Sequence, residues 1–305
     1  MGGYYVGNVV QLEHVTKKFG KQLAVKDVSL TIEKGSTVAI LGPNGAGKTT
    51  TISMMLGLLE PTEGVVKVFD KSPKETIVRD RIGAMLQEVS IIDMLKVREV
   101  IEMFRSYYTS PLQVEELISI TGLKEDVLGK WANKLSGGQK RRVGFALALT
   151  GNPDLVFFDE PTAGLDITAR RNFWEKVETL KSQGKTIIFT THYLQEADDF
   201  SERIILFNNG EVIADGKTEE IKRNLATRSV SFLTDDKEVM ALVQTFHTVI
   251  RCFEKDGRFY IVTSDTDAVL AQIFQQGIHA KDVAIEQGRL EEVFEHLTSN
   301  DQEVM

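Results

Sequence analysis

The run Val38-Ala39-Ile40-Leu41 leads without a break into Gly42-Pro43-Asn44-Gly45-Ala46-Gly47-Lys48-Thr49-Thr50. Four consecutive apolar residues mark a strand buried on both faces. The glycine-rich segment after it satisfies the full phosphate-loop spacing, with helix-competent residues following. Glycines let the backbone wrap a phosphate chain without Cβ clashes and leave amide hydrogens pointing inward. The helix that follows offers its positive end to the same anion. In such a loop Lys48 reaches the β- and γ-phosphates, and the Thr49 hydroxyl ligates Mg²⁺.

Outward from the loop, the same kind of buried run recurs at Leu155 to Phe158 and at Ile187 to Phe189, with helical patterns between and after. Buried strands alternating with helices predict an α/β domain with a largely parallel sheet. Val28, Leu30 and Ile32 alternate with Ser29, Thr31 and Glu33 as in a half-buried strand. Ile204 to Phe207 and Val212 to Ala214 flank Asn208-Asn209-Gly210, a hairpin signal that predicts an antiparallel β edge closing the sheet.

From about 87 to 152 a helical insert is expected. Val97, Val100, Ile101 and Phe104 fall at helical spacing, with the helix continuing towards Tyr107; Val114 to Ile120 and Gln139 to Thr150 read as further helices. After about Ala226 a small α+β domain is predicted, with strands at Val230 to Leu233, Arg258 to Val262 and Val283 to Glu286. Its helices fall at Lys237 to Phe246 and Thr266 to Gln275. The expected domains are therefore 9–225 and 226–305.

A second chemical signal closes the strand Leu155 to Phe158: Asp159-Glu160. Ligands of parallel α/β sheets sit beyond the carboxyl ends of strands. Asp159 is placed to hold Mg²⁺ and Glu160 to act as general base for an attacking water. Leu135-Ser136-Gly137-Gly138-Gln139 opens a helix running through Val143 to Leu149, a second helix terminus suited to an anion. Ser-Gly-Gly alone would be an ordinary N-cap.

Taken in order, these motifs resemble the ATP-binding cassette (ABC) family from Val9 to about Lys222. Phosphate loop, Gln87 in Leu86-Gln87-Glu88, the Leu-Ser-Gly-Gly-Gln signature, Asp159-Glu160, Gly164-Leu165-Asp166 and His192 all occur in family order. Phe19 in Lys17-Lys18-Phe19-Gly20 matches the aromatic that stacks on adenine; the family more often has tyrosine there. Ile167 stands where proline is common. The resemblance implies a head-to-tail dimer, a homodimer or a paired cassette, with two ATPs between phosphate loop and opposing signature. It implies that Gln87 joins the Mg²⁺ and water shell, that His192 contacts the γ-phosphate, and that Asp166 acts across the dimer. Without it, Gln87 reads as a loop residue, His192 as a surface or core histidine, and Asp166 as the N-cap of the helix Thr168 to Leu180.

The segment Arg289-Leu290-Glu291-Glu292-Val293-Phe294 followed by Leu297-Thr298 resembles the ending of exporter-type cassettes, whose permease is a separate polytopic subunit. Read by itself, Leu290, Val293, Phe294 and Leu297 form one apolar helix face. Met1 to Gly7 lacks a signal-peptide pattern, and no run reaches the ~20 apolar residues of a spanning helix. A peripheral subunit on the cytoplasmic face of the membrane is the expectation. The net charge of −8 disfavours nucleic acid as a partner, and Cys252 alone leaves no intrachain disulfide. Lys140-Arg141-Arg142, on the signature helix, reads as a polar face with phosphate-proximal charge. Among non-transport cassettes, chromosome and repair types place long coiled coils between phosphate loop and signature. Here only Thr51 to Lys134 intervenes. Translation-factor types carry two cassettes, and a purely regulatory module fits poorly with Asp159-Glu160 and His192.

Overall fold

A computed structural model describes residues 7–87, 91–225, 228–234, 236, 239–255 and 257–286. Two compact units divide after Gly216, Met1–Gly216 and Lys217–Met305, earlier in the chain than the boundary expected near Ala226.

The first unit opens with β1 (Asn8–Phe19) and β2 (Gln22–Glu33), followed by β3 (Thr37–Leu41), α1 (Lys48–Met55), β4 (Glu63–Val68), α2 (Thr76–Arg79) and β5 (Ile82–Met85). The helical insert holds α3 (Val97–Arg105), α4 (Val114–Thr121), α5 (Glu125–Leu128) and α6 (Gly137–Leu149). Then come β6 (Leu155–Asp159), α7 (Ile167–Ser182), β7 (Thr186–Thr190), α8 (Leu194–Phe200), β8 (Arg203–Asn208) and β9 (Glu211–Lys217).

Two sheets form. One has the order β5-β6-β7-β3-β8-β9, and its pairings from β5 through β8 are all parallel. The apolar runs predicted as doubly buried strands are those of β3, β6 and β7, each buried along its whole length. The expected antiparallel edge is the β8–β9 hairpin, with β9 at the end of the sheet. β8 lies parallel to β3 inside the sheet, and only β9 turns back, because the Asn209-Gly210 connection is too short for anything but an antiparallel return. Arg203 pins this hairpin with a two-pronged bond to Asp215 at 2.6 and 2.7 Å and a third bond to the Thr31 carbonyl at 2.7 Å.

The other sheet is antiparallel, β2-β1-β4, and presents Val10, Leu12, Val15, Val28, Leu30 and Ile32 to the core shared with α1 and β3. Behind β6, an aromatic cluster fixes the insert and α7. Phe145 of α6 meets Phe158 at 5.5 Å between ring centroids, Phe173 of α7 meets Phe158 at 5.4 Å, and Trp174 meets Phe189 at 4.7 Å. Such contacts add about 0.5–1.5 kcal/mol each beyond simple burial. They hold the carboxyl end of β6, where Asp159 and Glu160 sit.

α3 stops at Arg105 instead of running on towards Tyr107. The Arg105 side chain donates to the Leu112 carbonyl and to Gln113, both at 2.9 Å, drawing the chain into a turn.

The second unit holds α9 (Thr218–Leu225), β10 (Arg228–Leu233), α10 (Val239–Val243), β11 (Val249–Lys255), β12 (Arg258–Thr263), α11 (Thr266–Gln275) and β13 (Lys281–Glu286). The four strands form one antiparallel sheet ordered β11-β12-β10-β13. From β10 onward the sequence β-α-β-β-α-β with this order is the split βαβ, or ferredoxin-like, arrangement. Val230, Phe232, Phe259 and Ile261 pack with Val243 and Val269 of the two helices into its core. The apolar helix face expected at Leu290 to Leu297 lies outside the described residues.

Candidate functional site: a phosphate loop facing an acid pair

Gly47 caps α1 at φ +104°, and Gly42 turns at φ +150° on leaving β3. Both are required by close packing as well as by conformation. A Cβ on Gly42 would lie 2.3 Å from the Phe207 carbonyl oxygen, and one on Gly47 would lie 2.5 Å from that of Ala24. The loop thus rests on β8 on one side and on β2 on the other. Gly210 extends this support by donating its N–H to the Ala46 carbonyl (3.1 Å) and accepting from Lys26 N–H (2.8 Å).

Lys48 is buried, and its ammonium spans the loop, donating to the carbonyls of Gly42 (2.7 Å) and Pro43 (3.0 Å). Burial pulls its pKa below the ordinary lysine value, while Glu160 and Asp159 oppose that shift. A second cation, Arg141 of α6, is lowered by burial and raised by the same two acids. The acid pair therefore sits in the field of two partly desolvated cations.

Asp159 is buried at the end of β6, and its Oδ1 accepts from Thr190 Oγ1 at 2.5 Å. Thr190 in turn accepts from the Glu160 N–H at 3.0 Å, so one hydroxyl orders both acids. Glu160 occupies the left-handed region at φ +48°, an unusual place for a side-chain-bearing residue. Its carboxylate is held from two sides. Gln87 Nε2 donates to Oε2 at 2.9 Å, and His192 Nε2 meets Oε1.

A cleft of about 490 Å³ gathers these parts. Phe19, the loop from Asn44 to Thr50, Gln87, Glu160 and His192 all line it. Gly42 and Pro43 supply the carbonyls beneath Lys48, and Asp159 lies just below Glu160. Phe19 stands half exposed with Lys17 Nζ 5.2 Å from its ring centroid, leaving an aromatic face available at the rim.

The signature residues lie elsewhere. Ser136 caps α6 in a reciprocal box: its Oγ accepts from Gln139 N–H at 3.3 Å, and Gln139 Oε1 accepts from Ser136 N–H at 3.1 Å. Gly137 and Gly138 differ from the phosphate-loop glycines. Neither has positive φ, and a Cβ would meet nothing within 4 Å at Gly137 and only a Leu165 methyl, 4.0 Å away, at Gly138. Asp166 caps α7, accepting from Ala169 N–H at 2.8 Å. None of Ser136, Gly137, Gly138, Gln139 or Asp166 lines the cleft with Lys48.

Among the described residues no group of three or more His, Cys, Asp or Glu could hold a metal. One carboxylate (Asp159) and one hydroxyl (Thr49) beside a phosphate cradle nonetheless fit Mg²⁺, which is usually held by one or two carboxylates plus substrate phosphates and water. Thr190 went unremarked in the sequence; a threonine ending a β-branched strand carries no signal of its role.

The family model described as "ABC transporter" matches residues 25–163. The daunorubicin resistance ATP-binding protein DrrA3 of Streptomyces coeruleorubidus is 32% identical over 97% of this chain and 97% of its own length. The carnitine transport ATP-binding protein OpuCA of Listeria monocytogenes is 35% identical over 76% of this chain and 62% of its own. Among solved structures, a dimeric post-hydrolysis state of the cassette MJ0796 bound to ADP and Pi matches with a TM-score of 0.63. It is 34% identical and covers 68% of this chain and 98% of that one. With phosphate loop, acid pair and signature in cassette order and a relative aligned nearly end to end, the chain belongs to the ATP-binding subunits of ABC transporters and is an ATPase of that family.

Proposed function

We propose that this subunit hydrolyses ATP in a head-to-tail dimer and thereby drives export through separate polytopic permease subunits, from the cytoplasmic face of the membrane. The observation that carries the dimer is the pair Gly137 and Gly138. The fold asks for glycine at neither position, so the bare helix end serves something that approaches from outside, and a second copy's γ-phosphate fits it. The signature also lies off the cleft that holds Lys48, as a site completed by a partner requires.

The loop amides and Lys48 bind the phosphates, and Phe19 offers a ring face to adenine. Glu160, oriented by Gln87, His192 and Thr190, accepts a proton from water as it attacks in line. Asp159, Thr49 and Gln87 would hold Mg²⁺, which when bound neutralises the β- and γ-oxygens. Ser136 and the Gly138 amide act on the opposing nucleotide, and Asp166, though engaged as a cap, faces the same partner. The logic is preorganised charge, with no covalent intermediate.

For coupling, Ile92 and Met94, which follow Gln87 closely in the sequence, are exposed, Met94 at 79%. Exposed apolar residues shortly after a nucleotide sensor in the sequence suit a permease helix. No helix of the described residues is long and apolar enough to cross a membrane, so the pore is assigned to other subunits. Export is favoured because the drug-resistance relative spans the second unit as well as the first. That second unit, 217–305 by compactness, is assigned an accessory role in dimerisation or coupling.

Mixed-subunit assays test the dimer. Ser136→Arg and Lys48→Ala subunits should each be inactive alone, and their mixture should regain at most one competent site per dimer. Unchanged hydrolysis by Ser136→Arg alone would refute the sandwich.

A further inference from the structure

We propose that Glu196 is a positioning residue for hydrolysis, tying together the two loops that carry Glu160 and His192. This rests on the reading of those two as the working pair. Glu196 is 3% exposed on α8, a helix whose sequence Leu194-Gln195-Glu196-Ala197-Asp198-Asp199 reads as an ordinary solvated surface. Its two oxygens are divided between two loops. Thr162 Oγ1 donates to Oε1 at 2.6 Å, and Thr191 Oγ1 donates to Oε2 at 2.5 Å.

The two threonines bracket the chemistry. Thr191 precedes His192, and its oxygen also accepts from the Tyr193 N–H at 3.0 Å, so the backbone is pinned on both sides of the imidazole. Thr162 follows Glu160 and Pro161, whose ring leaves the intervening φ little freedom. Its carbonyl accepts from Leu165 N–H at 3.1 Å, extending the tie towards Asp166. Arg170 of α7 completes the arrangement. Its Nε is 3.4 Å from Glu196 Oε1, and its guanidinium lies over the Tyr193 ring at 3.6 Å. A buried carboxylate thus receives two charge-assisted bonds and a neighbouring cation, the condition under which burial is tolerated. Glu160 sits in a sparsely populated backbone region, and such conformations persist when surrounding contacts over-determine them. Glu196 supplies that determination while buried and outside the lining of the cleft.

A carboxylate is required, as opposed to any polar group. In Glu196→Gln one oxygen becomes an N–H donor facing a hydroxyl that already donates. One threonine must then reorient, and Arg170 loses its counter-charge.

The test compares Glu196→Gln in the full chain with and without His192→Ala, by single-turnover hydrolysis, ATP-analogue binding in EDTA and thermal unfolding. In the parent background the rate should fall about tenfold to a hundredfold, as for a displaced reacting group. Nucleotide affinity should stay within about twofold, since the loop is untouched. In the His192→Ala background the further loss should be smaller than in the parent, because one of the two groups that Glu196 positions is already gone while its hold on the Glu160 loop remains. Equal losses in both backgrounds, or weaker binding at unchanged rate, would overturn the proposal. If Glu196→Gln does not fold, Thr191→Val against Thr191→Ser decides: the serine should keep the parent rate and the valine lose it, and a valine variant at the parent rate would overturn it. A fully active His192→Ala chain would instead dismiss the reading of the working pair, whatever Glu196 does.

Discussion

Glu160→Gln separates holding from catalysis more cleanly than other changes at this site. The two contacts of the carboxylate differ in kind: Gln87 donates to Oε2, and His192 Nε2 meets Oε1. A glutamine has the same shape and can turn its carbonyl oxygen to Gln87 and its amide towards His192, whose neutral tautomer with the proton on Nδ1 accepts there. Both contacts survive, so the stability lost should not exceed about 1 kcal/mol, the net worth of one hydrogen bond. The base does not survive, and turnover should fall by about 10² to 10⁴, or roughly 2.7 to 5.4 kcal/mol of barrier. The assay is single-turnover hydrolysis with saturating ATP and Mg²⁺, beside nucleotide binding and size-exclusion chromatography with ATP. The expected mutant binds ATP like the parent, melts within a few degrees of it, and accumulates as a closed dimer. Parent-like turnover would remove Glu160 as the base. Lost binding with intact folding would move its role from chemistry to nucleotide affinity.

Lys48→Ala should reduce hydrolysis by at least about 10²-fold, the scale of removing one preorganised charge-stabilising group, with near-normal turnover refuting the loop assignment. Because burial lowers the Lys48 pKa, its charged, phosphate-binding form is lost as pH rises at values below the free-lysine value of about 10.4. ATP affinity titrated from neutral to alkaline pH should therefore fall in that range, and Lys48→Arg should move the fall upward. Gly47→Ala should destabilise the first unit by about 1–3 kcal/mol, since the new Cβ meets the Ala24 carbonyl at 2.5 Å in a left-handed backbone; chemical denaturation reads this, and an unchanged midpoint would contradict the packing. A chain ending at Gly216 should fold and bind nucleotide but lose dimerisation or permease-stimulated turnover; failure to fold would place the second unit within the catalytic core.

What could be read from the residues is what has a regular period or a fixed spacing. β3, β6 and β7 are uninterrupted apolar runs, and the phosphate loop and signature are contiguous words. β1 escaped because its alternation breaks at several register shifts, among them Leu12 to Val15 and Lys17 to Lys18, which move side chains from face to face. β5 escaped for a different reason. Its Gly83 looks like a strand breaker, yet a Cβ there would fall 2.0 Å from the Ala148 carbonyl, so the glycine exists to let α6 lie against the strand. β11 carries a shift of its own between Val249 and Arg251. At the site, residues in contiguous motifs were legible, whereas Thr190 and Glu196 act through tertiary bonds that no spacing announces.

The turn at Asn209-Gly210 has the look of a place to graft a tag or reporter, being a short hairpin tip of the kind that ordinarily accepts extra residues. Its two backbone bonds, to Ala46 in the phosphate loop and to Lys26 in β2, make it instead a spacer between the nucleotide cradle and the antiparallel sheet. A fusion inserted there would disturb nucleotide affinity before it disturbed folding.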